Sequence, residues 1–462
     1  TTAERHHPQD VDNSRTILVV DEASMVSAQD MRSFMDYAER TGAPRVVFVG
    51  DTQQLDAVAA GQPFAQMQKA GMRTAVMDEI RRQRDDDLKA AVYHSIRGEI
   101  TAAFNRMEDN VLKVDDPRQE AAERFLALTP AERQGTRILA LTNAARAEIN
   151  EAVRDGLRQE GRIASDEVKV NGLLNRQLTE AMLADARSYA PGDIVMSVAT
   201  SKEYGLKKNG LYVVREADHR GNMLTVEQEE TGVRTTLPLA AKFNQRELGK
   251  ALVAYEREAR GMAEGDQVRF RITDPESGIK NGLRAEVKSI KGGVIEAETQ
   301  EGSRITIPAD SLAARGLEHD YSATAHAVQG ESVDRVIVAM RSTERLATQK
   351  SFYVEISRAR DEAMLLTEDP DRLSKTIENE TGIRQTALDA WLDGRLAGAR
   401  ARQPEEEQTR EEPQEKPEAV KEKVAKEKEP DTPALPGLFD EKLKEVEKQA
   451  EIVLQRDKDI ER

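Results

Sequence analysis

Cysteine is absent from the 462-residue sequence, and histidines, aromatic residues and long apolar runs are scarce. The lack of cysteine excludes disulfides, thiolate nucleophiles and cysteine-ligated zinc. The six histidines lack the spacing of a metal site. No apolar run approaches the ~20 residues that cross a bilayer, and no signal-peptide pattern is visible, so we expect a cytoplasmic protein without membrane insertion.

Charged residues are abundant instead. They make up 33% of the chain, and the excess of acidic residues gives a formal net charge of −16. This length and composition predict a soluble protein of two or three domains with an acidic tail. The net charge disfavours a surface coated with nucleic acid, but it is compatible with a local basic channel.

Alternating strand and helix patterns predict an α/β fold. The β-branched runs TILVV and RVVFVG flank a helical stretch with apolar residues at Met31, Phe34, Met35 and Ala38. The strands RILALT, RVIVAM and EAMLLT alternate with helices further along, which predicts parallel sheets covered by helices. We expect an incomplete first sheet domain at 1–78 and a second one divided between 79–190 and 318–385.

Residues 191–317 have a different pattern of short strands broken by glycine. The stretch PGDIVMSV…KKNGLYVVREAD from Pro191 recurs as EGDQVRFR…IKNGLRAEVKSI from Glu264. Each copy contains Gly-Asp, a strand, an Asn-Gly turn and another strand. We therefore expect two small, barrel-like β modules inserted into the second sheet domain.

The C-terminal part is predicted to be extended. We expect a helical extension at 386–402, followed by a Glu-, Lys- and Pro-rich segment at 403–436 that has too few apolar residues to fold. Residues 437–462 have helical propensity, with two heptads of apolar residues. Two heptads are too few for a coiled coil, so a solvated or partner-docked helix is expected.

Two adjacent carboxylates, Asp21 and Glu22, follow the apolar run ILVV. The carboxyl end of a parallel strand is where open α/β folds bind ligands. There, one carboxylate can bind Mg²⁺ and the other can activate a water molecule that attacks a phosphate. The alternative is that both acids cap the following helix, and this pattern by itself does not decide between the two.

Later motifs favour phosphate chemistry. The strand RVVFVG ends in GDTQQL, in which the neutral amide of Gln54 can sense a terminal phosphate. Arg82 in EIRRQR and Arg358 in YVEISRAR, on a predicted helix, can supply guanidinium groups from outside the nucleotide's own domain. A surface salt bridge is the alternative role of either arginine.

The motif order VVDEASMV, GDTQQL, EIRRQ, TAHAVQG, YVEISRAR resembles superfamily 1 DNA helicases, specifically the RecD-like motors of conjugative relaxases of the TraI/TrwC class. The resemblance covers about Arg15 to Gln385. It implies two RecA-like motor domains that bind ATP and Mg²⁺ and unwind plasmid DNA, single-stranded and duplex, in the 5′ to 3′ direction. The paired β modules resemble the insertion that these helicases carry in their second motor domain.

The same resemblance implies roles for individual residues. Asp21 is expected to bind Mg²⁺, Glu22 to be the catalytic base and Gln54 to sense the γ-phosphate. Arg82 and Arg358 are expected to contact the phosphates, with Arg358 as the arginine finger. In the TAHAVQG motif, Thr324, His326 and Gln329 are expected to contact single-stranded DNA. Gly330 is expected to contact the nucleotide.

One family element is not found. These motors hold ATP with a glycine-rich loop that ends in Gly-Lys-Thr or Gly-Lys-Ser, and the only Gly-Lys here, Gly249-Lys250, precedes alanine. Because family members carry the loop upstream of the Asp-Glu strand, we expect it, and a histidine-triad relaxase domain, before Thr1. The chain by itself is then expected to be inactive.

Two alternatives remain open from the sequence. A free-standing RecD-like helicase or exonuclease subunit would share every motif of the ATPase. A non-catalytic DNA-binding or docking fragment would use only the β modules and the charged tail. In the relaxase interpretation, the tail is the candidate segment for recruiting a coupling protein and relaxosome components.

Overall fold

A computed structural model describes residues 11–55, 60–243, 246–328 and 330–383. These residues all fall within one compact unit, Thr1–Gly394. The predicted tail elements at 386–402, 403–436 and 437–462 lie outside the described residues. No helix in the described ranges has the length and apolar character needed to span a membrane.

The described part of the chain contains twenty strands. In chain order they are β1 (Ile17–Val20), β2 (Arg45–Phe48), β3 (Val111–Lys113), β4 (Thr136–Ala140), β5 (Glu167–Asn175), β6 (Ile194–Ser197), β7 (Leu211–Asp218), β8 (Met223–Gln228), β9 (Arg234–Pro238), β10 (Lys242–Phe243), β11 (Arg246–Glu247), β12 (Leu252–Ala263), β13 (Gln267–Phe270), β14 (Arg284–Lys291), β15 (Val294–Thr299), β16 (Arg304–Pro308), β17 (Leu317–His319), β18 (Ser322–Thr324), β19 (Val333–Ala339) and β20 (Ala359–Thr367).

The described ranges also contain eleven α-helices. They are α1 (Ala28–Arg40), α2 (Pro63–Lys69), α3 (Asp86–Ile96), α4 (Ile100–Arg106), α5 (Pro117–Ala127), α6 (Pro130–Gln134), α7 (Asn143–Gln159), α8 (Glu180–Leu183), α9 (Leu312–Arg315), α10 (Gln349–Ile356) and α11 (Pro370–Asn379).

A five-stranded parallel sheet forms the centre of the region that the sequence predicted as a second sheet domain. Its order is β18-β4-β19-β20-β3, and every neighbouring pair is parallel. Successive residues of β4 face opposite sides: Leu139 packs with α3, α4, α10 and α11, whereas Ile138 and Ala140 pack with α5 and α7. Apolar cores on both faces are what the unbroken apolar strands predicted. The expected mixed α/β fold is therefore confirmed.

In the region predicted as the first sheet domain, the structure describes a small parallel sheet of β1 and β2. The ring of Phe34 on α1 meets that of Phe48 on β2 edge-on, with 6.3 Å between the centroids. On β1, Ile17 and Val19 are 55% and 61% exposed, and on β2, Val47 is 39% exposed. One face of this sheet is thus covered by α1, and the other presents apolar side chains.

Two antiparallel sheets account for the predicted β modules. Their orders are β5-β12-β6-β7-β8-β9 and β16-β15-β14-β13-β17. Antiparallel structure begins at Glu167, before the expected start of the modules at Pro191, because β5 pairs along the long strand β12. The additional antiparallel sheets agree with the fold class expected from the sequence.

The internal repeat extends to single hydrogen bonds. The bridge between Ser201 and Leu206 in the first module recurs between Asp274 and Ile279 in the second. Asn209 (φ 61°) donates its amide proton to the Ser197 carbonyl, and Gly282 (φ 93°) donates to that of Phe270. Asn209 is therefore equivalent to Gly282, one residue away from the pairing that the two Asn-Gly motifs suggest.

Candidate active site

The acidic pair directly follows β1. Asp21 and Glu22 lead into a 3₁₀ turn at Ala23–Met25, and α1 begins after it. α1 is capped by Ser27, whose hydroxyl accepts a hydrogen bond from the Asp30 amide at 3.1 Å. Glu22 is the N-cap residue of the 3₁₀ turn, but its side chain makes no capping hydrogen bond there, and neither acid of the pair caps α1.

Glu22 has a strained backbone conformation. Its φ is 50°, in the left-handed region that costs a residue with a side chain roughly 1–2 kcal/mol. The Asp21 carboxylate accepts a hydrogen bond from the Glu22 amide at 2.9 Å. Gly50 lets the neighbouring strand approach, because a Cβ there would lie 3.0 Å from the amide nitrogens of Ala23 and Ser24. The backbone thus fixes the acidic pair at the end of β1.

The GDTQQL loop after β2 reaches α10, which packs on the five-stranded parallel sheet. Asp51 accepts hydrogen bonds from the Gln53 amide at 2.9 Å and from the Gln54 side chain at 3.2 Å. It also accepts one at 2.7 Å from the Tyr353 hydroxyl on α10. Leu55 packs against the core on the α10 side of the parallel sheet. The loop is therefore held against α10 by both polar and apolar contacts.

Arg358 lies between α10 and β20, two residues beyond the last helical residue, Ile356. The sequence predicted Arg358 on the helix, but α10 ends at Ile356 and Ser357 is its C-cap. Its side chain is buried at 2% exposure, and its Nε donates to the Val354 carbonyl at 3.1 Å. Its Nη2 donates to Gln54 Oε1 at 3.2 Å. The predicted phosphate sensor and the predicted arginine finger are thus in direct contact.

Arg82 and Gln83 approach the same place from the segment before α3. Arg82 is exposed, and its Nη1 donates to the Ser357 carbonyl at 2.9 Å. The buried Gln83 amide donates to the carbonyls of Ser357 at 3.0 Å and Ala359 at 2.8 Å. Gln83 and Tyr353 were not predicted. The polar run around Gln83 does not reveal which side chain points inward, and the stretch SFYVEI does not reveal that the Tyr353 hydroxyl reaches Asp51.

The charges in this site act on one another. Burial lowers the pKa of the Arg358 guanidinium, and the positive charge of Arg82 lowers it further, while the negative charges of Glu22 and Asp51 oppose the shift. Burial also raises the pKa of the Tyr353 hydroxyl, and Asp51 adds to this effect. The acids after β1 and β2 and the two arginines therefore share one electrostatic environment.

The predicted DNA motif begins at β18, an edge strand of the parallel sheet. Arg358 lies beside β20, next to the strand at the other edge. Thr324 ends β18, His326 is exposed in the following 3₁₀ turn, and Gly330 has φ 83°. Gln329 lies outside the described residues. The segment returns to the arginine side of the sheet, where the Val333 amide donates to the Arg358 carbonyl at 3.1 Å.

The donor set fits magnesium nucleotide better than a protein-enclosed metal. Among the described residues, no group of three or more histidines and carboxylates forms a metal cluster. Mg²⁺ in phosphate-transfer sites is commonly bound by one or two carboxylates, with phosphates and water completing the shell. Asp21 is exposed and retains Oδ2 for such a bond. Arg82 and Arg358 supply the positive charge that suits a phosphate.

Sequence comparisons link the chain to conjugation proteins. An AAA domain family model matches residues 1–113. The chain is 24% identical over 421 residues to the multifunctional conjugation protein TraI of Escherichia coli, with 80% of this chain and 23% of the relative covered. It is 27% identical over 354 residues to a probable conjugal transfer protein TraA of Sinorhizobium fredii, with 76% and 24% covered.

The matches confirm the predicted resemblance to conjugation proteins of this class. The chain spans about a quarter of the length of the curated relatives it matches. Among solved structures, a Bacteroides Pif1 helicase in complex with ADP-AlF3 and single-stranded DNA aligns with a TM-score of 0.43 at 13% identity, covering 82% of this chain and 75% of the helicase.

Proposed function

We propose that this chain is part of the motor of an ATP-dependent DNA helicase within a conjugation protein. The motor would unwind plasmid DNA and move along the single strand in the 5′ to 3′ direction. The C-terminal tail would recruit a coupling protein and relaxosome components. The similarity to TraI and TraA supports the setting, and the convergence of acids, amide and arginines supports the phosphate chemistry.

The observation that carries the proposal is the contact between Gln54 and Arg358. The Gln54 amide nitrogen donates to Asp51 and its oxygen accepts from Arg358, so a single neutral side chain joins the loop after β2 to the start of β20. A γ-phosphate is a stronger acceptor for a guanidinium than an amide oxygen. Nucleotide would therefore compete for Arg358 and change how the two motor domains contact each other.

The residues divide the chemistry between them. Asp21 would hold Mg²⁺, which supplies neutralising charge to the phosphates. Glu22 would accept a proton from the attacking water, and its fixed position after β1 keeps its carboxylate at the strand end. Arg358 and Arg82 would stabilise the charge that develops on the transferred phosphoryl group.

The segment 324–333 is proposed to couple DNA to the nucleotide. Thr324, His326 and Gln329 would contact single-stranded DNA, and Gly330 would lie on the nucleotide side. The hydrogen bond from Val333 to the Arg358 backbone supports this connection, because a displacement of the segment acts on the arginine directly. Alternating grip by the two motor domains would then convert hydrolysis into movement.

This chain by itself is proposed to hydrolyse no ATP, since its sequence contains no Gly-Lys-Thr or Gly-Lys-Ser loop. The test compares DNA-stimulated ATPase activity of the chain with that of a longer protein in which such a loop precedes β1. We expect turnover only in the longer protein. Robust turnover by the chain alone would overturn this assignment.

A second candidate function, for this chain as given, is a non-catalytic DNA-binding module, since these 462 residues contain no Gly-Lys-Thr or Gly-Lys-Ser loop. Filter binding of single-stranded DNA to the longer protein, with and without a non-hydrolysable ATP analogue, separates the two. The motor requires an affinity that changes with the analogue. An unchanged affinity supports the inert module. A free-standing RecD-like subunit would behave as the motor does but would carry no relaxase domain.

A further inference from the structure

Two carboxylates at the end of β17 each gather three arginines. Glu318 lies 2.9 Å from Arg146, 3.6 Å from Arg271 and 3.7 Å from Arg260, measured between oxygen and nitrogen. Asp320 has the same arrangement, at 2.6–3.2 Å from the arginines at 137, 269 and 284. Two of the arginines come from the parallel-sheet domain, three from the second β module, and Arg260 from β12 of the first antiparallel sheet, so the cluster lies where these parts meet.

Positive charge exceeds negative charge in this cluster. Beyond Glu318 and Asp320, the six arginines also contact Glu258 and Glu331. Six guanidinium groups therefore face four carboxylates. Buried charges are normally paired, so an excess of cations at a partly buried position indicates a place for an anion.

The first β module shows that the fold does not require these arginines. At the positions equivalent to Arg269, Arg271 and Arg284 it has Met196, Val198 and Leu211, as the matching backbone pairs of β6 with β7 and of β13 with β14 show. All three are apolar, and Met196 and Leu211 pack in an apolar cluster. The second module thus carries arginines at positions where the first module carries apolar residues.

Arg271 is the arginine that is available to a ligand. Its side chain is 38% exposed, and within the described part of the chain its guanidinium makes no hydrogen bond, since Glu318 is its only partner at 3.6 Å. Partial burial lowers the pKa of this guanidinium; Glu318 opposes the shift, and the neighbouring charges of Arg146 and Arg269 add to it. An added anion would relieve this repulsion.

The cluster is bonded to the predicted DNA segment. Arg269, two residues before Arg271, donates to the Ala327 carbonyl at 3.1 Å and to Glu331 at 3.0 Å. Arg284 lies 3.3 Å from the other Glu331 oxygen. The excess charge is therefore fixed beside the segment 324–333.

We propose that Arg271, supported by Arg146, binds a backbone phosphate of single-stranded DNA on the second β module. The proposal rests on the proposed function, since it extends the DNA path from the segment 324–333. Glu318 keeps its contacts to Arg146 and Arg260, and Arg271 turns toward the phosphate. Free phosphate has the same charge, so it is the other source of the ligand that must be tested.

The test measures binding of labelled single-stranded DNA to the full 462-residue chain by fluorescence anisotropy at several salt concentrations. Arg271→Val copies the first module, which has valine at this position, so the fold can accommodate it. We expect on the order of a tenfold loss of affinity and a salt slope that is lower by about one, as for the loss of one phosphate contact. Arg271→Lys should retain most of the affinity.

The matched control is Arg234→Val, which removes one exposed arginine from a strand of the first module. It should leave affinity and salt slope unchanged. Inorganic phosphate at constant ionic strength should not displace the DNA; displacement that depends on Arg271 would assign the site to free phosphate and overturn the proposal. An unchanged salt slope in Arg271→Val would also overturn it. Failure of the wild-type chain to bind DNA would instead contradict the proposed function.

Discussion

Gln54 and Arg358 share a hydrogen bond of 3.2 Å although 304 positions separate them in the chain. The bond joins the loop after β2 to the residue that immediately precedes β20. Arg358 is buried. Among the described residues, its guanidinium donates hydrogen bonds to two acceptors, the Val354 carbonyl and the Gln54 side-chain oxygen. A phosphate that displaces Gln54 therefore meets a guanidinium that is already oriented.

Glu22→Gln should abolish turnover in a longer protein that carries the nucleotide-binding loop. The amide cannot accept the proton of the attacking water, while Asp21 still binds Mg²⁺, so ATP affinity should persist. General-base loss lowers rates by roughly 10²–10⁴. Steady-state ATPase assays and equilibrium nucleotide binding measure the two effects separately.

The control for this variant is Glu39→Gln, on the exposed end of α1. It changes the same charge in the same domain and should have normal activity. A near-normal rate in Glu22→Gln would remove the role of catalytic base from this residue.

Arg358→Ala should slow hydrolysis by on the order of 10³ or more if its guanidinium stabilises the transition state. The exposed neighbour Arg360 provides the control, since Arg360→Ala removes an equal charge outside the site. Because Arg358 is buried, thermal unfolding of each variant must be measured first. A folded Arg358→Ala variant with wild-type turnover would contradict the arginine-finger assignment.

Local patterns predicted the elements of the site well. Apolar runs that stop at polar residues predicted the ends of β1 and β2, and with them the places of Asp21 and Gly50. This pattern is local, because it involves only a few neighbouring positions in the chain. Of the apolar positions that predicted a helix before β2, Met31 and Ala38 are buried in α1, whereas Met35 is 42% exposed.

Contacts between distant segments could not be predicted. Gln83 and Tyr353 act through partners more than 270 positions away, and their neighbours in sequence are equally polar or aromatic. The arginine-rich junction could not be predicted either. The Gly-Asp motifs align Arg269 and Arg271 with Met196 and Val198, but the contacts of these arginines with Asp320 and Glu318 join distant segments. The true equivalence of Asn209 and Gly282 depends on the backbone hydrogen bonds of the turn, which sequence spacing does not reveal.

Gln83→Leu should destabilise the chain by about 2–3 kcal/mol. Leucine has a similar volume but no donor, so the buried carbonyls of Ser357 and Ala359 lose a partner. Urea unfolding of the 462-residue chain measures this loss. Gln53→Leu is the control, because its side chain is exposed. Equal stability of the two variants would show that Gln83 does not hold the backbone around Arg358.

Asp266 should make the stability of the second β module depend on acid pH. Its carboxylate is fully buried and accepts hydrogen bonds from Arg154 Nε and Nη2, both at 2.8 Å. Burial alone would raise the pKa of this carboxyl, but the neighbouring His319 and Arg154 outweigh burial and lower the pKa to about 2. In the unfolded chain the pKa returns to about 3.9.

A folded-state pKa below the unfolded one means that the stabilisation is complete above about pH 4 and is lost as the pH falls toward 2. Two pKa units correspond to roughly 2.5 kcal/mol. Asp266→Asn should therefore lower the free energy of unfolding at pH 7 and flatten its decline between pH 4 and pH 2, whereas Asp310→Asn, at an exposed position, should do neither. Denaturant unfolding at a series of pH values measures both effects, and parallel pH profiles for wild type and Asp266→Asn would exclude this carboxylate as the source of the acid sensitivity.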